Sequence, residues 1–427
     1  MGVLEPVAQI VLWMAIILVT AKLGAEIALR AGQPPVLGEL IVGIILGNLG
    51  LLGFHALDAV KTDAVINALA QIGVLILVFT IGLRSTIAQM MKVGTSSLLA
   101  AVLGLAVPFA LGWGVSAWLL PDAGPYVHLY LGAAMTATGV AVIGRALHDI
   151  GLTHMPEAHV IMGAAVIDDI MGFIILATLS GVISTVGRGA FSFFSVGIVM
   201  AKAFAFLGGA LILGRYLLGR LLRLASKMKG SGILLVAGIA FCFIMSFLAS
   251  LAGLEPVIGA FAAGLSLEKP HYRSFLQKGE LPLEEAIEPI AATLVPVFFV
   301  LMGMRTDLKA LADPGILGFA ALLTAVAVAG KLASGLGVLG KGVDRLAVGI
   351  GLVPRGAVGL IFAGVGLTLS VEGRPIVTPS TFSALVIMVI LTTLVALPLM
   401  KRRMDLLQRR RETLHSRPGE GAPMDMG

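Results

Sequence analysis

Two adjacent carboxylates, Asp168 and Asp169, lie in the middle of an apolar run from Val160 to Leu176 that otherwise carries no charge. The run has the length and composition of a membrane-spanning helix. One carboxylate at a bilayer centre costs about 2.5–3.5 kcal/mol on insertion scales, so two need a chemical reason. Intramembrane acids of this kind face a bundle interior or a water-filled cavity and handle protons or cations. The alternative is a structural pair satisfied by neighbouring helices.

Few other charges share that setting. Lys331 stands alone in the apolar stretch that begins at Leu322. Lysine suits a switch, because desolvation lets it shed a proton, whereas arginine holds its charge. Lys331 is near one end of its span, which also permits a snorkelling role. Arg355, in Val353-Pro354-Arg355-Gly356, serves as a fixed charge. Adjacent helical residues point about 100° apart, so Asp168 and Asp169 face different ways, one to a crevice and one to a neighbouring helix. Glu39 and Lys202 are the remaining intramembrane charges; Glu39 lines a funnel or pairs structurally, and Lys202 reads as structural. Glu255 reads as a solvated or capping carboxylate.

These residues need a scaffold. Of 427 residues, 58% are hydrophobic and 13% charged, and the mean hydropathy is +1.01. That composition belongs to a polytopic membrane protein and excludes a soluble enzyme or a nucleic-acid binder, whatever the net charge of +6. The 54 glycines fit close helix packing in a bilayer. A single cysteine, Cys242, rules out a disulfide framework. With no basic stretch before the first apolar run, that run is expected to be a retained helix.

Apolar runs against Pro, Gly and polar breaks give about thirteen spans: 7–29, 35–53, 64–83, 96–120, 125–147, 158–186, 193–214, 231–252, 254–267, 287–304, 314–339, 346–370 and 378–400. With residues 401–427 as a short basic cytoplasmic tail, alternation leaves only Lys61, Arg188, Arg305, Lys309 and Arg374 outside, against roughly twenty-one basic residues inside. The N-terminus is then outside.

The chain also repeats itself. Pro35-Val36-Leu37-Gly38 returns as Pro256-Val257-Ile258-Gly259, and Gly82-Leu83-Arg84-Ser85 as Gly303-Met304-Arg305-Thr306, both 221 positions on. The partners are seven spans apart, so the halves cross the membrane in opposite senses, as in secondary transporters. Repeat one covers approximately 7–186 and repeat two approximately 231–400, joined by a linking helix at approximately 193–214. Interrupted helices are expected at equivalent places. Thr136-Ala137-Thr138-Gly139 supplies one, its small and hydroxyl residues leaving backbone carbonyls free for a cation, and Pro354 and Gly356 supply the other.

Weaker patterns add little. Gly335-Leu336-Gly337-Val338-Leu339-Gly340 fits GxGxxG, but no strand precedes it and packing explains it better. No phosphate-binding GxxxxGK[ST] segment is present. His148, His154 and His159 cluster at one turn and can tune a pH response, but their spacing fits no zinc motif.

With these residues assembled, the chain resembles bacterial sodium/proton antiporters of the cation–proton antiporter superfamily, most of all the NapA-type members of its electrogenic second branch. The resemblance rests on Gly32 to Glu39, Thr136-Ala137-Thr138, Ile167-Asp168-Asp169, Gly330-Lys331-Leu332 and Val353 to Gly356. It implies an all-α polytopic fold with an inverted repeat and two interrupted crossing helices. It implies ion binding at Asp169 with Asp168, Thr136 and Thr138 nearby, and an Asp168–Lys331 pair, with Lys331 and Arg355 serving proton coupling and charge compensation. It implies a homodimer in the bacterial inner membrane, with a core sliding past a dimerisation domain. It implies exchange of Na⁺ or Li⁺ for H⁺ with two protons per sodium; no cofactor, no nucleotide-binding domain and no enzymatic reaction are expected. The family often has a glutamate at the position of Ala357, which leaves the partner of Arg355 open. K⁺/H⁺ exchange on the same scaffold, a channel and a non-transporting sensor are the competing readings.

Overall fold

The computed structural model describes residues 6–415, apart from 85–93, 150, 187–192, 268, 341, 372 and, within 214–231, all but 220, 222, 225 and 230. Lys92, Arg188, Arg215, Arg223, Lys227, Lys229, Lys341 and the tail after His415, which enter the charge count above, lie outside the described residues.

Fifteen longer helices carry the fold among the described residues. They are α1 (Pro6–Arg30), α2 (Pro35–Gly47), α3 (Ala64–Arg84), α4 (Thr95–Leu119), α5 (Pro125–Ala134), α6 (Val140–Asp149), α7 (Pro156–Val186) and α8 (Phe193–Leu213). There follow α9 (Ile233–Leu251), α10 (Pro256–Ser266), α11 (Glu288–Met304), α12 (Pro314–Leu332), α13 (Arg345–Gly351), α14 (Ala357–Thr368) and α15 (Pro379–His415). Every one of the thirteen expected spans meets a helix or a broken helix here. Among the described residues seven helices are long and apolar enough to cross a membrane unaided: α1, α3, α4, α7, α9, α12 and α15. A two-residue ribbon, Ser370–Val371 against Arg374–Pro375, is the β-structure among the described residues. The protein is an all-α polytopic membrane protein.

Helices α1, α2, α3, α9, α10 and α11 pack on one another; α4, α5, α6, α7, α12, α13, α14 and α15 form a second bundle. Helix α8 rests on α7 of one bundle and α10 of the other. Glycine sets the distances in the first bundle, and the contacts come in pairs related by the 221-residue repeat. A Cβ on Gly264 would lie 2.2 Å from the Phe79 carbonyl oxygen, and one on Gly43 would lie 2.2 Å from that of Val300. Gly38 meets the Gly24 backbone as Gly259 meets that of Met245. In each case backbone touches backbone, an approach that any side chain would block.

Both interrupted helices are real breaks. Helical geometry lapses at Met135–Gly139, between α5 and α6, and at Leu352–Gly356, between α13 and α14. Pro354 supplies no amide hydrogen for a helical bond. The expected basic tail begins as helix. Helix α15 runs on past Met400 to His415, because charged, water-facing turns extend a helix without a hydropathy signal.

Candidate functional site

The two breaks cross at glycines. Gly139 donates its amide to the Pro354 carbonyl at 3.0 Å, and a Cβ on Gly139 would lie 2.6 Å from the Gly356 nitrogen. Thr393 of α15 pins the second break, accepting from the Arg355 amide at 3.1 Å and donating to its carbonyl at 2.6 Å. Backbone groups freed by unwinding are thereby met from a neighbouring helix.

Of the carbonyls expected to be free for a cation at the first break, that of Ala137 accepts from Arg355 instead. Arg355, 1% exposed, places its guanidinium at the break. Its Nη1 donates to Ala134 at 3.1 Å and Ala137 at 3.2 Å, and its Nη2 to Met135 at 2.5 Å. Ala134 and Met135 close the negative end of α5, where a fixed cation is stabilising, and Ala137 lies in the break itself. Arg355 therefore needs no carboxylate where the family often has one. Its Nε is buried without a hydrogen-bond partner. Thr136, 2% exposed, donates its hydroxyl to Ala133 at 2.8 Å.

Asp168 and Asp169 sit midway along α7, 3% and 1% exposed. Lys331 Nζ and Thr138 Oγ1 donate to Asp168 Oδ2 at 2.8 and 2.9 Å. Lys331 is fully buried and does not snorkel. Asp168 Oδ1 and both carboxylate oxygens of Asp169 are buried with no hydrogen-bond donor. A charge-balanced pair thus lies beside a second carboxylate that receives no hydrogen bond from any described residue. Buried polar atoms are almost always partnered, so these three oxygens set the acid pair apart from most other buried polar groups of the protein.

Gly104, which the sequence reading did not single out, makes room for the pair. A Cβ there would lie 3.7 Å from both Asp168 Oδ2 and Lys331 Nζ. On the next turn, Pro108 lies against Gly330, where a Cβ would come within 2.9 Å of the Pro108 Cα. One glycine among 54 carries no label in the sequence; only its distance from the lysine identifies it.

Other candidates stand apart. Glu39, 7% exposed, is in the first bundle, with Lys22 of α1 the charge that acts on it. Lys202 is exposed on α8. Glu255 occupies the N-cap of α10 but makes no side-chain cap bond, contrary to the capping reading. Gly335 and Gly337 pack against the Arg345 carbonyl and the Ala100 backbone, as a packing role requires.

The family model for the transmembrane region of sodium/hydrogen exchangers matches residues 15–402. The chain belongs to the sodium/hydrogen exchanger family. This exchanger is 35% identical to the high-affinity Na⁺/H⁺ antiporter NhaS3 of Synechocystis, over 92% of this chain and 89% of that protein. It is 32% identical to the Na⁺/H⁺-K⁺ antiporter GerN of Bacillus cereus, over 91% and 94%. Its fold is like that of the sodium proton antiporter MjNhaP1 from Methanocaldococcus jannaschii, with a TM-score of 0.68 at 17% identity over 94% of this chain and 98% of that one.

Proposed function

We propose that this exchanger is a secondary active transporter that trades Na⁺ for H⁺, with Asp169 as the group for which the two ions compete. The observation that carries the reading is the set of three buried carboxylate oxygens without donors, Asp168 Oδ1 and both of Asp169. The named activities of NhaS3 and GerN support it.

The charge count sets the mechanism. With Asp169 protonated and Lys331 and Asp168 both charged, the site is neutral. Na⁺ entering against Asp169 displaces that proton. As Asp168 turns its carboxylate to the cation, Lys331 loses its counter-charge and releases a second proton. Two protons leave for one sodium, and the sodium-loaded site carries one negative charge more than the proton-loaded one. Exchange is therefore electrogenic. Arg355 stays charged throughout and holds the α5 break in place.

Alternating access comes from sliding of the second bundle, which holds both breaks and the acids, against the first. The protein acts as a homodimer in a bacterial inner membrane, with the end carrying Arg30, Arg145 and Lys401 in the cytoplasm and the N-terminus outside. Proteoliposomes with an internal pH dye test the reading, with Na⁺, Li⁺ or K⁺ added in turn. Saturable alkalinisation or acidification driven by Na⁺ or Li⁺ is expected. A response to K⁺ alone would select the K⁺/H⁺ reading, and current without counter-exchange would select a channel.

A further inference from the structure

Ser180 on α7 differs from the other buried hydroxyls of these helices. Thr178, Thr392 and Thr393 each donate back to the carbonyl four residues earlier, which satisfies a hydroxyl inside a membrane helix. Ser180 Oγ is buried and has no hydrogen-bond partner. At about 100° per residue, Phe173, Leu176 and Ser180 all lie within about 40° of the direction of Asp169, whereas Thr178 lies about 180° away. The free hydroxyl therefore shares the face of α7 that carries the acid, about three turns nearer the Val186 end.

The two halves of that face differ. Toward Pro156, Met162 and Val166 are part-exposed. Toward Val186, Phe173, Leu176 and Ser180 are each at most 2% exposed. The other bundle helps to close this half. Phe173 stacks on Phe261 of α10, with ring centroids 4.7 Å apart and planes 30° apart. Phe173 stands one turn from Asp169, so along α7 the ring pair lies between the acid and Ser180. A stack that joins two bundles lasts only while they keep their register, and sliding of one past the other parts the rings.

We propose that the outer half of the ion route to Asp169 runs along this face of α7. The Ser180 hydroxyl is a stop for the ion or its water, and the stacked rings of Phe173 and Phe261 are the gate between that stop and the acid. A hydroxyl offers its oxygen to a cation and its proton to water, which suits an ion shedding its shell beside a dry constriction. Two apolar rings in contact give a hydrated ion no polar partner, so the acid is shut from the outside while they stack. The route rests on the Asp169 exchange and the membrane orientation proposed above.

The test is cysteine labelling of the full-length protein, after Cys242→Ala removes the single native thiol. Ser180→Cys and, as the control on the opposite face, Thr178→Cys are treated with a membrane-impermeant quaternary-ammonium methanethiosulfonate. Right-side-out and inverted membrane vesicles present the two sides. Ser180→Cys should react slowly from outside. Phe173→Ala or Phe261→Ala should speed that reaction about ten-fold or more, because the stack and its buried area no longer hold the closed state. Thr178→Cys should stay unreactive in every background. If an alanine variant is not recovered folded, Phe261→Val, a milder truncation, takes its place. A Ser180→Cys rate unchanged by loss of a ring overturns the gate. No reaction of Ser180→Cys in any background, reaction from inverted vesicles alone, or equal reaction of Thr178→Cys overturns the route. Labelling needs no turnover, so its failure is distinct from failure of the exchange reading, which Asp169→Asn tests by itself.

Discussion

Lys331 Nζ and Asp168 Oδ2 meet at 2.8 Å where neither side chain is more than 1% exposed. Burying two charges is costly, and their attraction offsets the cost only while both are present. Lys331→Met or Asp168→Asn alone should each destabilise the protein by about 3–5 kcal/mol, the usual consequence of an unpaired buried charge. The double change should cost less than the two single losses added together. Melting in detergent across the four proteins measures this, and strict additivity would mean the pair does not interact.

Asp169 behaves in the opposite way. Its two oxygens receive no hydrogen bond, so the carboxylate gains nothing from the fold that an amide would lose. Asp169→Asn should abolish Na⁺-dependent proton exchange while leaving Tm unchanged or higher. Exchange at the wild-type rate in this variant would falsify the site assignment.

The crossing of the breaks is steric. Adding a methyl group at Gly139 places carbon 2.6 Å from the Gly356 nitrogen, and backbone there cannot give way as a flexible side chain does. Gly139→Ala should cost about 1–3 kcal/mol, the range for overpacking, and should impair exchange as well as stability. Gly104→Ala makes a useful comparison. Its Cβ would meet Ser334 Cβ at 3.3 Å and little else so closely, so a smaller loss of stability is expected.

How much of this was legible in the residues depends on how unusual each one is in its surroundings. Acids and a lysine in apolar helices stand out, so Asp168, Asp169 and Lys331 were found without coordinates. Pro354 and Gly356 marked a break for the same reason. The occupant of the other break was not legible, because the groups Arg355 binds are backbone carbonyls, which every residue has. The sequence showed that Arg355 lacked a nearby glutamate at Ala357 but not that a helix end would replace it. Gly104 and the extension of α15 to His415 were missed for related reasons. A glycine in a glycine-rich chain and a charged helix outside the bilayer both lack contrast.

At the basic end of the molecule, Asp344 caps α13 through the Ala347 amide at 2.7 Å and holds Arg403 of α15 in a fork of 2.5 and 3.3 Å. Its own amide donates to Glu157 of α7 at 2.9 Å. Partial burial pushes the Asp344 carboxyl up, but Arg403 and the Ala347 amide outweigh it and hold the carboxyl below the ordinary aspartate value. A lowered folded pKa stabilises the protein above the unfolded value, near about 4, and that contribution is lost as pH falls through the folded value. Asp344→Asn keeps a good cap and removes the charge. It should lower stability slightly at pH 7, by less than about 1 kcal/mol in this partly exposed setting, and flatten the fall in Tm below about pH 4. An unchanged acid limb would show that the Arg403 pair contributes no pH dependence.

The proposed two-proton stoichiometry depends on Lys331 being able to deprotonate. Arginine in its place keeps a positive partner for Asp168 but holds its proton at every accessible pH. In Lys331→Arg, only the Asp169 proton remains to exchange. Each turnover should then move one H⁺ against one Na⁺, and the sodium-loaded and proton-loaded sites should carry the same charge. Arginine is also longer and forked, and Gly104, Ser334 and Thr138 crowd this position, so a lower rate is expected from sterics alone. The informative quantity is therefore the voltage dependence and not the rate. Na⁺-driven exchange is measured in proteoliposomes clamped at a series of potentials with K⁺ and valinomycin. Wild-type exchange should accelerate or slow steadily with potential, while the variant should be nearly indifferent to it. Potential-independent wild-type exchange would remove the electrogenic reading. A variant that stays active and fully voltage-dependent would make Lys331 a structural partner of Asp168 that carries no transported proton.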